Sequence, residues 1–345
     1  MKTQPPVMVS FSVTRECNLR CKHCYSQSVD SPHPNELSTE EAKRVIGEIV
    51  DAGARLIVFD GGEPLMRSDI FDLIAHARKV GLRPLLGTNA TLITPEVAHR
   101  LAEAGVRGLA ISLDGADSKS HDEFRGMEGS FDQAIAGIQN AREANIPFQI
   151  APTLRHGCLD RWQAVADKAK ELGAMAVEAF DYIPAGRGRE HAELELSTAE
   201  RRRFVREFIE RQLNDAEMVY RSIGLPQLWV EVERTVPEEE VLRKFVRTCC
   251  GAGVRYACVL YEGTVYPCMV LQAEAGNVRE ASFGEIWEGS EVFQILRNRD
   301  GLEGKCGRCD YRWLCGGARC KVYERTGSLT AEDESCWLGE EELKR

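Results

Sequence analysis

The chain has 345 residues, 43% hydrophobic and 28% charged, which excludes wholesale disorder and leaves room for one large domain with a smaller one beside it. Its 44 Lys and Arg against 54 Asp and Glu give a net charge of −10, which excludes the basic stripes needed to hold nucleic acid or an anionic membrane. No apolar run reaches membrane-spanning length and Met1–Pro6 carries no secretory signal, so a cytoplasmic location is expected, with no nucleic acid and no membrane as partners.

Short β-rich runs occur at 7–13, 55–63, 82–89, 107–115, 147–154 and 175–183, with amphipathic helical patterns between them. Ser38 with Glu41, and Ser130 with Gln133, have the spacing of capping boxes; Thr94 followed by Pro95 opens a further helix that a glycine stops. Six such β-then-α units predict a parallel sheet covered by helices, two units short of a closed eight-stranded barrel. An open, partial barrel and a doubly wound sheet both fit. Beyond the sixth strand come the loop "PAGRGRE", a charged helix over 197–213, and a stretch to 248 that bridges two regions. From Cys249 the character changes to cysteines, glycines and turns, with one helical stretch at 282–298. This predicts a small unit held by metal more than by a core. The expected boundaries are 1–195, a helical bridge at 196–248, and 249–345.

Thirteen cysteines in a reducing compartment point to metal before disulfides. Cys17, Cys21 and Cys24 lie directly after the first strand, where enzymes with this architecture keep their chemistry. A structural zinc site closes with four ligands, whereas three thiolates on a four-iron cube leave one iron open to a small molecule. Nine more cysteines fall between Cys249 and Cys336. Cys-x2-Cys pairs also occur in zinc ribbons, the alternative for that half. Cys158 stands alone and reads as a small hydrophobe. His33, His76, His99, His121, His156 and His191 show no ligand spacing and read as surface or capping residues.

"CNLRCKHC" resembles the signature of radical S-adenosylmethionine (SAM) enzymes, with His23 at the ring position that lies against adenine. "GGEP" (Gly61, Gly62, Glu63, Pro64) resembles the motif whose backbone accepts the SAM amino group. Thr88 and Asn89 follow the third strand, and Ser112 and Asp114 follow the fourth, where the resemblance implies ribose or carboxylate contacts. Arg125 resembles an arginine that pairs with the SAM carboxylate. The second half is similar to the SPASM extension. That likeness implies one auxiliary cluster on Cys250 (or Cys249), Cys258, Cys268 and Cys320, and another on Cys306, Cys309, Cys315 and Cys336. "CGGARC" has four residues between its cysteines where the family has three.

"DYIPAGRGRE" and "GNVREASFGEIWEGSEVFQILR" are similar to the alternative haem synthase and decarboxylase subgroup. The resemblance implies a partial (β/α)6 TIM barrel with a small cysteine-rich iron–sulfur domain. It also implies SAM, a SAM-binding [4Fe–4S] cluster, one or two auxiliary [4Fe–4S] clusters and an external one-electron donor of flavodoxin or ferredoxin type. The expected substrate is a small-molecule carboxylate, either an iron-porphyrin propionate or a sugar-acid nucleoside. "HCYSQS" departs from the haem group, which has Arg after the third cysteine. A maturase or dehydrogenase acting on a peptide, protein or sugar alcohol is the alternative, and a non-enzymatic metal scaffold a further one. Arg155, Arg187 and Arg189, at the same rim, are expected to clamp a substrate carboxylate, with Glu190 and Tyr25 as further substrate contacts.

Overall fold

The computed structural model describes residues 3–245 and 250–345. Its frame is a parallel sheet: β1 (Met8–Thr14), β2 (Leu56–Gly61), β3 (Arg83–Thr88), β4 (Leu109–Ile111), β5 (Phe148–Ile150), β6 (Thr153–Leu154), β7 (Ala176–Asp181) and β8 (Val219–Ile223). Helices α1 (Thr39–Asp51), α2 (Ile70–Lys79), α3 (Pro95–Ala104), α4 (Ser118–Arg125), α5 (Ser130–Glu143), α6 (Trp162–Leu172) and α7 (Thr198–Asn214) alternate with the strands. Sequential neighbours pair in parallel from β1 through β5, then to β7 and β8, without the reversal of strand order that defines a doubly wound sheet. The partial barrel is therefore the architecture.

Period-2 alternation explains β1. Val9, Phe11 and Val13 join the helix-covered core, with Phe11 and Phe59 rings 6.3 Å apart. Ser10 and Ser12 point the other way, onto Asp60 of β2. Each fully buried Phe or Val contributes about 1.5–3 kcal/mol over an exposed one. Ser38 caps α1 with a complete capping box, Thr94 caps α3, and Gly105 stops α3 in the left-handed region.

The structure departs from the sequence reading in four places. Gly129, not Ser130, is the N-cap of α5, because the Ser130 hydroxyl is taken by Asp122. The described part of 196–248 is not purely helical. It holds α7, α8 (Leu228–Thr235) and α9 (Glu238–Lys244), but also β8, a seventh rung of the barrel whose five residues were too few to register as a periodic run. The stretch 282–298 breaks at Ser290 into α10 (Phe283–Gly289) and α11 (Glu291–Arg297). The C-terminal part is also held by an apolar core, which it shares with the barrel. Its strand β9 (Tyr256–Val259) pairs in parallel with β1, and β10 (Thr264–Tyr266) and β11 (Gly276–Asn277) continue the same sheet. Val259, Val265, Phe283, Trp287 and Phe293 thereby merge with the core of the barrel. Helices α12 (Gly304–Arg308) and α13 (Arg319–Thr326) complete the chain.

Candidate active site

The loop carrying Cys17, Cys21 and Cys24 leaves β1 at its C-terminal end and is pinned from several sides. Cys17 N donates to Val29 O at 2.7 Å, and Lys22 N to Phe124 O at 3.1 Å. Arg187, from the loop after β7, reaches across to it: Nε donates to Cys21 O at 2.9 Å and Nη1 to Ser28 O at 3.1 Å. The "GGEP" turn presses against the same loop. Gly62 N donates to Thr14 O and Glu63 N to Glu16 O, at 2.8 and 2.7 Å. Gly61 has φ +125°, and a Cβ on Gly62 would fall on the Glu16 carbonyl, so neither position admits a side chain.

Glu63 ties three strand ends together. Its buried carboxylate accepts from Thr88 Oγ1 at 2.8 Å, Asn89 N at 2.9 Å and Leu65 N at 3.2 Å, just before buried Pro64 opens a single 3-10 turn. Asn89 Nδ2 in turn donates to Asn18 Oδ1 in the cysteine loop, at 2.9 Å. Burial pushes the Glu63 carboxyl up from 4.5 to about 7 against those hydrogen bonds. A carboxyl raised on folding binds its proton more tightly in the native state, so it stabilises below 4.5 and loses that contribution as pH rises through about 7. The Glu63→Gln variant is therefore expected to show a flatter fall in urea midpoint between pH 5 and 7 than the wild type. Parallel profiles would refute the assignment.

The fourth strand end holds a second knot. Asp114 pairs with Arg125 at 2.7 Å, with both side chains buried. Burial alone would raise the Asp114 carboxyl, but the guanidinium of Arg125, then His23 and Arg155, hold it well below the usual carboxylate range. Arg125 Nη1 also lies 3.7 Å from Cys21 Sγ. His23 stacks on Phe124, with ring centroids 4.1 Å apart and planes within 8°, and Arg155 covers the opposite face of Phe124 at 3.9 Å. Burial, and then Arg125, lower His23 to about 3, so its imidazole is neutral. Ser112 is half-buried beside this knot, with its N–H on Thr88 O at 3.1 Å.

These three thiols suit an iron–sulfur cluster. Leu19 N donates to Cys17 Sγ and Ser28 N to Cys24 Sγ, each at 3.4 Å, which is the kind of N–H···S contact that stabilises cluster thiolates. Burial pushes Cys17 up to about 12, a state unfavourable to a free thiolate and reversed when a metal takes the sulfur. For Cys24 the burial is outweighed by hydrogen bonds from Ser26 and Ser28, which bring it below its ordinary value.

Apart from Cys158, which stands alone, the remaining described cysteines fall into two groups. Cys268 lies beside Cys250 and Cys258, and Cys320 beside Cys268 and Cys250. Cys306, Cys309, Cys315 and Cys336 line one cavity together with Arg312, Asp333 and Gly317. Cys306 Sγ accepts from Asp333 N at 3.4 Å and Arg319 Nη2 at 3.5 Å, and Cys315 Sγ from Gly317 N at 3.4 Å. Gly316 and Gly317 both adopt positive φ, +71° and +70°, which turns the chain so that Cys315 and Cys320, four residues apart, serve different groups. Both donor sets, all sulfur with N–H groups aimed at them, fit iron–sulfur clusters. Cys249 lies outside the described residues. Among the described residues no three metal-binding side chains converge on one ion position.

The rim residues expected to meet substrate have divergent places. Arg155 is buried against Phe124 and the carbonyls of Asp114 and Ser120. Arg187 is committed to the cysteine loop, yet its Nη2 is buried without a partner. Arg189 pairs with Glu324 at 2.7 Å and is half exposed, and Glu190 is exposed. Tyr25 turns its hydroxyl onto Met269 Sδ at 3.2 Å. Sequence reasoning missed Phe124, whose place between the His23 ring and the Arg155 guanidinium has no motif. It also missed His121, which is buried and accepts from Asp114 N at 3.2 Å instead of lying on the surface. The serine alternation in "VSFSV" was the available signal for the Ser10–Ser12–Asp60 cluster, since two hydroxyls on one strand face imply a polar partner opposite.

Residues 11–169 match the radical SAM superfamily, and residues 249–310 match SPASM, an iron–sulfur cluster-binding domain. The chain belongs to the radical SAM superfamily. Its cofactors are accordingly SAM and [4Fe–4S] clusters, in the SPASM region as well as at the barrel. The radical SAM chain is 38% identical to the AdoMet-dependent heme synthase of Methanosarcina barkeri over 97% of both chains. It is 34% identical to the Fe-coproporphyrin III synthase of the same organism, over 99% of this chain and 90% of that one. In fold it is similar to Streptococcus suis SuiB bound to S-adenosylmethionine, with a TM-score of 0.77 at 19% identity, covering 96% of this chain and 77% of SuiB. No helix among the described residues is long and apolar enough to cross a membrane.

Proposed function

We propose that this radical SAM enzyme oxidatively decarboxylates propionate side chains of an iron porphyrin, converting them to vinyl groups. The observation that carries this reading is the end-to-end likeness to two haem-pathway synthases. When bound to the open iron, SAM supplies a 5′-deoxyadenosyl radical that removes a hydrogen atom from the substrate.

The chain's own residues prepare that event. Cys17, Cys21 and Cys24 hold the cluster; the Gly61–Gly62 turn and Glu63 form the backbone cradle for the SAM amino group. Asp114, locked by Arg125, and Asn89, locked to Asn18, border the space that SAM's ribose and carboxylate would occupy. His23 offers adenine a ring already braced from behind by Phe124. Arg187, with one buried N–H unused, is the residue we assign to a carboxylate oxygen of a bound molecule. Cys250, Cys258, Cys268 and Cys320 would hold one auxiliary cluster, and Cys306, Cys309, Cys315 and Cys336 the other. Residues 1–195 together with β8 then form the SAM-cleaving unit, the rest of 196–248 the connection and 249–345 the auxiliary unit. An external flavodoxin- or ferredoxin-type donor supplies the priming electron in the cytoplasm.

The test is anaerobic incubation of the reconstituted protein with SAM, a low-potential reductant and Fe-coproporphyrin III. The expected products are 5′-deoxyadenosine and a porphyrin that has lost CO2 and two hydrogens per propionate. Porphyrin-independent SAM cleavage with no change in porphyrin mass would redirect the assignment to a peptide or sugar substrate.

A further inference from the structure

One contact joins the SAM-cleaving site to the SPASM region through almost unbroken covalent structure. Tyr25 follows Cys24, and Met269 follows Cys268. Tyr25 Oη donates to Met269 Sδ at 3.2 Å, across a separation of 244 residues. Ser10 Oγ, whose proton goes to Asp60, lies 3.4 Å from the same sulfur on a second side. The phenol lies among Cys24, Cys258, Cys268 and Asp60, so it fills the space between the two sets of thiols. A thioether is a weak hydrogen-bond acceptor, so this contact adds little to stability by itself.

We propose that the Tyr25–Met269 contact is the electron link between the cluster at Cys17, Cys21 and Cys24 and the auxiliary cluster at Cys250, Cys258, Cys268 and Cys320. Electrons cross protein more readily through covalent and hydrogen bonds than through gaps. The path Cys24–Tyr25···Met269–Cys268 contains a single non-covalent step. In the transfer one reduced cluster loses an electron and the other, oxidised, gains it; no bond is made or broken and no proton moves. The link's use in turnover rests on the function proposed above. There vinyl formation with loss of CO2 would release one electron; a cluster held by Cys250, Cys258, Cys268 and Cys320 would be its acceptor, and Tyr25 and Met269 would be the route back to the first site.

The test needs neither porphyrin nor turnover, so it is read independently of whether decarboxylation occurs. The fully iron-loaded protein receives a pulse of photoreduced flavin delivering less than one electron per chain, and is frozen at successive times for electron paramagnetic resonance. The two reduced clusters are told apart because added SAM alters only the spectrum of the one with an open iron. In the wild type the signals reach their equilibrium ratio fastest. Tyr25→Phe and Met269→Leu, both near-isosteric, are each expected to slow that approach severalfold while leaving iron content and the final ratio unchanged. The double variant is expected to be no slower than either single one, since both remove the same contact. Exchange at the wild-type rate in either single variant, or a double variant slowed by the product of the two effects, would overturn the proposal.

Discussion

Replacing Cys17, Cys21 and Cys24 together by alanine is expected to abolish 5′-deoxyadenosine formation while leaving the iron of the SPASM region in place. The loss is complete because the variant removes all three thiolates of that loop, and the neutral hydroxyls of Ser26 and Ser28, paired with each other, are poor ligands for an iron–sulfur cluster. The retention follows from the separation of thiols into distinct groups, each with its own N–H donors. The measurement is iron per chain, with SAM cleavage measured on the same samples. Residual SAM cleavage, or parallel loss of all iron, would contradict the independence of the sites.

The second large effect is expected at Asp181, the last residue of β7. Its carboxylate is fully buried and pairs with Arg201 at 2.9 Å and with Lys321, which directly follows Cys320. Asp181→Asn would leave buried Lys321 facing an amide and Arg201 with Glu195 alone, a loss of about 3–5 kcal/mol. Because Lys321 directly follows Cys320 in the first turn of α13, the variant is also expected to lose iron selectively from the group containing Cys250, Cys258 and Cys268. The control is Arg189→Ala, which removes the half-exposed partner of a mostly buried Glu324 and is expected to cost less than Asp181→Asn, whose partners are both buried cations. A urea midpoint for Asp181→Asn indistinguishable from that of the control would remove the network from its proposed role. Lys321→Met combined with Asp181→Asn should recover part of the loss, since one buried charge then disappears with its partner.

What was legible in the sequence was set by local physics. The capping signals at Ser38 and Thr94 work because the cap contacts the next turn of its own helix, and both formed. Ser130 failed for the converse reason: Asp122, eight residues earlier, offered a stronger partner than the helix it was expected to open. The alternation of β1 and the glycine pair at 61–62 were readable because strand pleat and backbone crowding act over a few residues. The arginines were not. Arg155, Arg187 and Arg189 share a rim and a charge, but one stacks on Phe124, one laces the cysteine loop and one meets Glu324. Those outcomes depend on partners up to 166 residues away, which no window of sequence contains. The Asp181–Lys321 pair, 140 residues apart, was invisible for the same reason.

The pairing of β9 with β1 has a consequence for how the chain is built. During synthesis β1 emerges first, but the strand that covers its outer edge lies near residue 256. Until then the edge that leads into the Cys17 loop presents unpaired backbone groups, the template on which strands of neighbouring chains add. Contacts so distant in sequence close slowly and leave partly assembled chains prone to aggregate. Expression of the N-terminal two-thirds alone is thus expected to yield inclusion bodies, and slower translation should favour holdase chaperones bound at that edge.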